Sequence, residues 1–215
     1  MSKTAKVIVS ISKDKLSELP RVEYPGEYVV IENLEDEEVA FKQLTGCKLV
    51  GFDTETKPSF KKGQPNNVSL IQISTGDKCF LFRINKIGIT DRLKAFIEDP
   101  TISKIGLSLK DDFFVLNRCT KFVPAGFVDL QSFVKDYSIH DASLQKIFAI
   151  LFGGKISKNQ RLSNWEADKL SDSQKIYAAI DAWACLEIYN YLKSGLFHPE
   201  NSPYLIDELQ QEELS

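Results

Sequence analysis

Apolar residues fall in three short runs over 49–52, 68–73 and 79–82, separated by the polar turn signals Pro-Asn-Asn at 65–67 and Thr-Gly-Asp at 75–77. Runs spaced this way predict an antiparallel meander. Further on the period changes. Residues 91–99 read as a helix, 102–107 as a strand, 110–119 as a helix, 127–130 as a strand, and 143–151 as a helix stopped by Gly153-Gly154. The best-marked element is a final helix over 171–193, where Ser171 and Gln174 have capping-box spacing ahead of a helix-period apolar stripe. Strands alternating with helices predict an α/β layer architecture.

Composition acts mainly by exclusion. A chain of 215 residues and 24.3 kDa can bury one sizeable core and falls short of two full domains. With 43% hydrophobic and 27% charged residues it is neither fibrous, wholly disordered nor a disulfide scaffold. A net charge of −3 gives no overall positive field, so a polyanionic partner must be held locally or through metal ions. Cys47, Cys79, Cys119 and Cys185 lie far apart with no zinc-site spacing, and are expected as reduced, buried thiols in a cytoplasmic protein. Only 7–11 leans apolar near the N-terminus and no run approaches eighteen apolar residues, so neither secretion nor a membrane span is expected. The Gly-Gly-Lys at 153–155 lacks the spacing of a phosphate-binding loop, which argues against nucleoside triphosphate hydrolysis.

The two ends differ from the middle. Residues 199–215 carry five acids and no base, and read as a solvated tail or short surface helix. Residues 6–12 have the pattern of one edge strand, and 24–27 that of a turn. The expected division is an N-terminal extension over 1–26, one domain over 27–196 and an acidic tail over 197–215.

Acidic residues carry the candidate chemistry. Asp53 and Glu55 close the first apolar run, and residues two apart on a strand share a face. Like charges so placed favour a hard cation such as Mg2+ or Mn2+, although D-T-E-T also suits a polar strand exit. Tyr177 and Asp181, four apart in the capped helix, share a face that runs into the stripe of Ile180, Ala184 and Ile188. As a surface pair they would be commonplace. Asp111 and Asp112 open the helix after the 102–107 strand, where capping and the helix dipole are a sufficient explanation by themselves.

Their order along the chain is more specific. The stretches VGFDTET, VSLIQIST, KCFLF, IGLSLKDDFFVL, FVDLQ and RLSNWEADKLSDSQKIYAAIDAWACLEIY follow one another between 50 and 189, within a resemblance that covers about 27–196. In this the chain resembles the 3'-5' exonucleases of the ribonuclease D and Werner-exonuclease group, the branch of the DEDD superfamily whose third motif carries a tyrosine. Matched by motif, Asp53 and Glu55 take the first-motif positions, Asp112, six residues after Gly106, takes the second, and Asp181 with Tyr177 takes the third. Asp111 is the poorer match. The histidine branch places a histidine five residues before the last aspartate, where this chain has Ile176, and His140 and His198 lie elsewhere.

The resemblance implies a ribonuclease H-like mixed sheet, three antiparallel strands followed by parallel ones, flanked by helices. It also implies two divalent ions, Mg2+ or Mn2+, gathered by Asp53, Glu55, Asp112 and Asp181, with Tyr177 orienting the attacking water. The expected activity is a metal-dependent 3'-5' exonuclease that releases 5'-mononucleotides from DNA or RNA. A non-catalytic nucleic-acid-binding module and an endonuclease of the same fold are the rivals. For the substrate, Lys155, Lys158 and Arg161 form a basic run free of acids and Trp165 is a candidate for stacking a base, as is Phe60. Lys57, Lys61 and Lys62 form a second basic run; for both runs a solvated loop is the plain alternative. Ribonuclease D itself carries further C-terminal nucleic-acid-binding domains where this chain has the acidic tail, which leaves room for a separate protein partner to supply that grip.

Overall fold

A computed structural model describes residues 7–59 and 66–206. In chain order its elements are α1 (Lys13–Glu18), β1 (Glu27–Ile31), α2 (Leu34–Leu44), β2 (Leu49–Thr56), β3 (Val68–Ser74), β4 (Lys78–Arg83), α3 (Ile84–Ile87), α4 (Asp91–Glu98), β5 (Ser103–Gly106), α5 (Leu109–Cys119), β6 (Phe127–Asp129), α6 (Leu130–Phe133), α7 (Leu144–Phe152) and α8 (Asp172–Lys193). The strands form one sheet in the order β1-β4-β3-β2-β5-β6. β2, β3 and β4 are antiparallel, whereas β5 pairs with β2 and β6 with β5 in parallel, which is the mixed α/β sheet that the resemblance implies.

Apart from the strand expected over 6–12, the expected elements are present with most ends shifted by a residue or so, and β2 runs on to Thr56 beyond the expected 49–52. β1 and α2 have no counterpart in the sequence reading, and β1 adds a parallel edge strand beside β4. Both are hard to see because their apolar pattern is incomplete: β1 is mostly half-buried, and Leu34 and Val39 of α2 point outward, 60% and 53% exposed.

Helices cover both faces of the sheet, so every residue of β3 is buried. One face meets α2, α4 and α5 through Phe52, Ile71, Ile73, Phe80 and Phe82. The other meets α8, whose inner face carries Ala178, Ala179, Ala182 and Ala184. Small side chains let this helix lie almost on the strand. A Cβ placed on Gly51 would stand 1.9 Å from the Ala182 carbonyl oxygen, so only glycine fits there. α8 starts as predicted, with the Ser171 hydroxyl accepting from Gln174 N–H at 3.2 Å and the Gln174 side chain accepting from Ser171 N–H at 3.0 Å.

The ends are less separate than their composition suggests. Val9 and Ile11 are 0% and 1% exposed and belong to the core against α7 and α8. No sheet strand forms over 7–12; instead Val9 makes isolated bridges to Ile139 and Leu205, and Ile206 N–H donates to the Ile8 carbonyl at 2.9 Å. The described N-terminal residues and 204–206 therefore close the core jointly; 207–215 lie outside the described residues. Cys79 and Cys185 are buried as expected, but Cys47 is half-buried and Cys119 exposed.

Candidate active site

Four acids meet where β2 leaves the sheet. On β2, Asp53 and Glu55 point toward α8, while Phe52 and Thr54 alternate to the opposite face. The close approach at Gly51 brings α8 down beside them. As a result, carboxylate oxygens of Asp53, Glu55 and Asp181 lie within 4.8 Å of one another. Asp112 reaches the group from α5, on the other side of the strand, where its carboxylate accepts a very short hydrogen bond from the Thr54 hydroxyl.

Asp112 is not the cap of its helix. α5 begins at Ser108, a left-handed residue (φ 62°) that makes no side-chain cap bond. The free N–H groups are met from β6: Asp129 accepts from Ser108 N–H at 3.1 Å and from Leu109 N–H at 3.0 Å. With capping done by Asp129, the Asp112 carboxylate takes the Thr54 hydroxyl instead and adds its charge to the field at Asp53 and Glu55. Thr54 and Asp129 are supporting residues that the sequence reading missed. Their signal was positional: a threonine between two acids of one strand, and an aspartate closing the strand beside the helix start.

Crowding and burial act on the acids in the same direction. Asp53 is held well above the ordinary carboxylate range, chiefly by burial and then by Asp181, Asp112 and Glu55. Glu55 is raised by burial and by Asp181 and Asp112, with Arg161 opposing. Burial also lifts Asp112 and Asp181, the latter relieved by the Tyr177 hydroxyl bond and by Lys158. Tyr177 is raised by burial first and then by Asp181 and Glu55, so its hydroxyl keeps its proton. Desolvated carboxylates that oppose one another's ionisation are a site in want of a cation. An all-oxygen donor set fits a hard divalent ion.

Beside the acids opens a cavity of about 310 Å3, lined by Asp53, Tyr177, Asp181, Lys158 and Arg161, and also by Gln131 and Gln145. Two of the expected substrate residues are therefore at the site and two are not. The Lys155 ammonium donates to the Ser17 carbonyl at 2.6 Å, tying down the N-terminal segment. Trp165 is 0% exposed, packed among Leu70, Leu81 and Ala178 with its ring 6.0 Å from that of Tyr177. A base cannot reach it. It backs the Tyr177 ring instead. Lys57 pairs with Glu166 at 3.1 Å, while Phe60, Lys61 and Lys62 lie outside the described residues.

A family model described as 3'-5' exonuclease matches residues 28–196, which takes in the four acids and the tyrosine. The chain belongs to the 3'-5' exonuclease family. It is 31% identical over 185 residues to the bifunctional 3'-5' exonuclease/ATP-dependent helicase WRN of Mus musculus, over 81% of this chain and 13% of that protein. It is 33% identical over 165 residues to a 3'-5' exonuclease of Arabidopsis thaliana, over 69% of this chain and 54% of that one. The exonuclease domain thus spans about an eighth and about half of these two relatives. The ribonuclease D of Trypanosoma brucei, solved in complex with RNA U12, shares its fold with a TM-score of 0.68 at 21% identity, over 83% of this chain and 64% of that chain.

Proposed function

We propose that this exonuclease domain hydrolyses the 3'-terminal phosphodiester bond of DNA or RNA and releases 5'-mononucleotides. The observation that carries the reading is the convergence of Asp53, Glu55 and Asp181 within 4.8 Å, with Asp112 beside them, at the edge of an open cavity. These four carboxylates would hold two divalent ions, Mg2+ or Mn2+, which when bound supply Lewis-acid stabilisation of the phosphoryl oxygens and a water of lowered pKa.

The chain's own residues supply the rest. Tyr177 keeps its proton, so it acts by hydrogen bonding and orients the attacking water rather than deprotonating it. Its hydroxyl is fixed by Asp181 and its ring by the buried Trp165. Lys158 and Arg161 face the cavity and match the charge of the phosphates on either side of the scissile bond. The RNA held by the Trypanosoma brucei ribonuclease D supports a nucleic-acid substrate.

Analysis of products tests this directly. With Mg2+ or Mn2+, mass spectrometry is expected to find 5'-mononucleotides from the first turnover, and a 3'-phosphorothioate cap to block their release. Cleavage of circular single strands would instead identify an endonuclease.

A further inference from the structure

On the far side of Tyr177 a second cavity of about 330 Å3 adjoins the acidic one, and Ile156, Ser157 and Tyr177 stand in the walls of both. The loop after α7 sorts its side chains between them. Lys158 and Arg161 line the acidic cavity, whereas Asn159 and Gln160 line the second. Ile176 and Ile180 of α8 give the second cavity an apolar side, and Val22 closes it from the N-terminal segment. That segment is held in place by backbone bonds: Val22 N–H donates to the Lys155 carbonyl at 3.1 Å, and Lys155 N–H to the Pro20 carbonyl at 2.8 Å.

The two cavities suit different parts of a nucleotide. The first combines acids with cations, as a phosphodiester and metal ions require. In the second, Arg21 and Glu23 carry opposite charges, and what remains is apolar wall, one aromatic ring, two primary amides and the hydroxyls of Ser157 and Ser173. Such a surface suits an uncharged, flat heterocycle: apolar groups and the ring meet its faces, and amides meet the donors and acceptors of its edge. Gln160 uses its carbonyl oxygen to accept from the Ser163 hydroxyl at 2.5 Å, which leaves its amide nitrogen as the donating group.

We infer that the second cavity is a nucleobase subsite for a nucleotide next to the scissile phosphate, an inference that rests on the exonuclease reading of the acidic site. The strand then crosses Tyr177, with its phosphate on one side and this base on the other. Because 20–23 precede the residues matched by the family model, one wall of the subsite is supplied by a segment outside that match.

The test is a cycle between protein and substrate variants. Single-stranded decanucleotides, intact or abasic at one of the last two positions, are bound to wild type, Asn159→Ala and Val22→Trp, with EDTA present and fluorescence anisotropy as the readout. Removing the base at one of these positions is expected to weaken wild-type binding roughly fivefold. The same removal is expected to cost either variant almost nothing further. Asn159 is exposed, so its variant guards against a folding failure of Val22→Trp. Losses that multiply independently at both positions, or variants that bind the intact strand as well as wild type, would overturn the subsite. Turnover with Mg2+ is measured separately: wild type that binds every strand but hydrolyses none would defeat the exonuclease reading, while the binding cycle still decides the subsite.

Discussion

At the scale of single residues, the site divides between groups that would hold ions and one that would place water. Asp53→Asn or Asp181→Asn removes a charge from a crowded, desolvated cluster. Either is expected to lower kcat at least about a hundredfold while the metal-free protein melts no lower than wild type, since repulsion has been relieved. Thermal melting in EDTA beside single-turnover kinetics checks both halves. Tyr177→Phe keeps the ring against Trp165 and loses only the hydroxyl, so kcat should fall about ten- to a hundredfold with little change in the Mg2+ concentration for half-maximal rate. A fall in metal affinity instead would make the tyrosine a support for Asp181. The acids could be read from the sequence because their spacing, two apart on a strand and four apart on a helix, is itself geometry. Trp165 could not. An aromatic residue in a polar loop has the same sequence pattern whether it faces solvent or the core, and here Leu70, Leu81 and Ala178 close over it.

At the scale of elements, the site depends on how closely α8 lies on β2. Gly51→Ala puts a methyl group into the Ala182 carbonyl, backbone that cannot give way without moving the helix. A loss of about 3 kcal/mol or more is expected in urea unfolding, together with loss of turnover, because Asp181 moves away from Asp53. Asp129→Ala leaves the N–H groups of Ser108 and Leu109 without their acceptor and frees the start of α5; a cost of about 1–2 kcal/mol is expected, with weaker metal activation through Asp112. α8 was legible because its cap is written in adjacent residues. The N-terminal segment was not, since Val9 and Ile11 find their partners in Ile139, Leu205 and the α7 and α8 faces, far along the chain, and local alternation says nothing of distant partners.

At the scale of the whole molecule, the acids link stability to pH and to metal. Burial and like charge raise Glu55 from 4.5 to about 9 and hold Asp53 in the same direction. An acid whose folded-state pKa is raised favours the folded state while protonated. The metal-free protein should therefore lose stability as the pH rises from about 4.5 toward 9, and regain it on acidification within that window. Divalent ions bind the deprotonated site, so 100 times their dissociation constant should raise the melting midpoint by about 5–10 °C at pH 8 and by much less at pH 5.5. Equal shifts at both pH values would place the ions elsewhere on the molecule. Whether the converged acids remove nucleotides from a 3' end is decided by following 5'-labelled single-stranded DNA and RNA on a sequencing gel with Mg2+ or Mn2+, beside EDTA and Asp53→Asn. A ladder that shortens stepwise from the 3' end and vanishes in both controls is expected; internal cuts, or a ladder undiminished by Asp53→Asn, would contradict an exonuclease built on these acids.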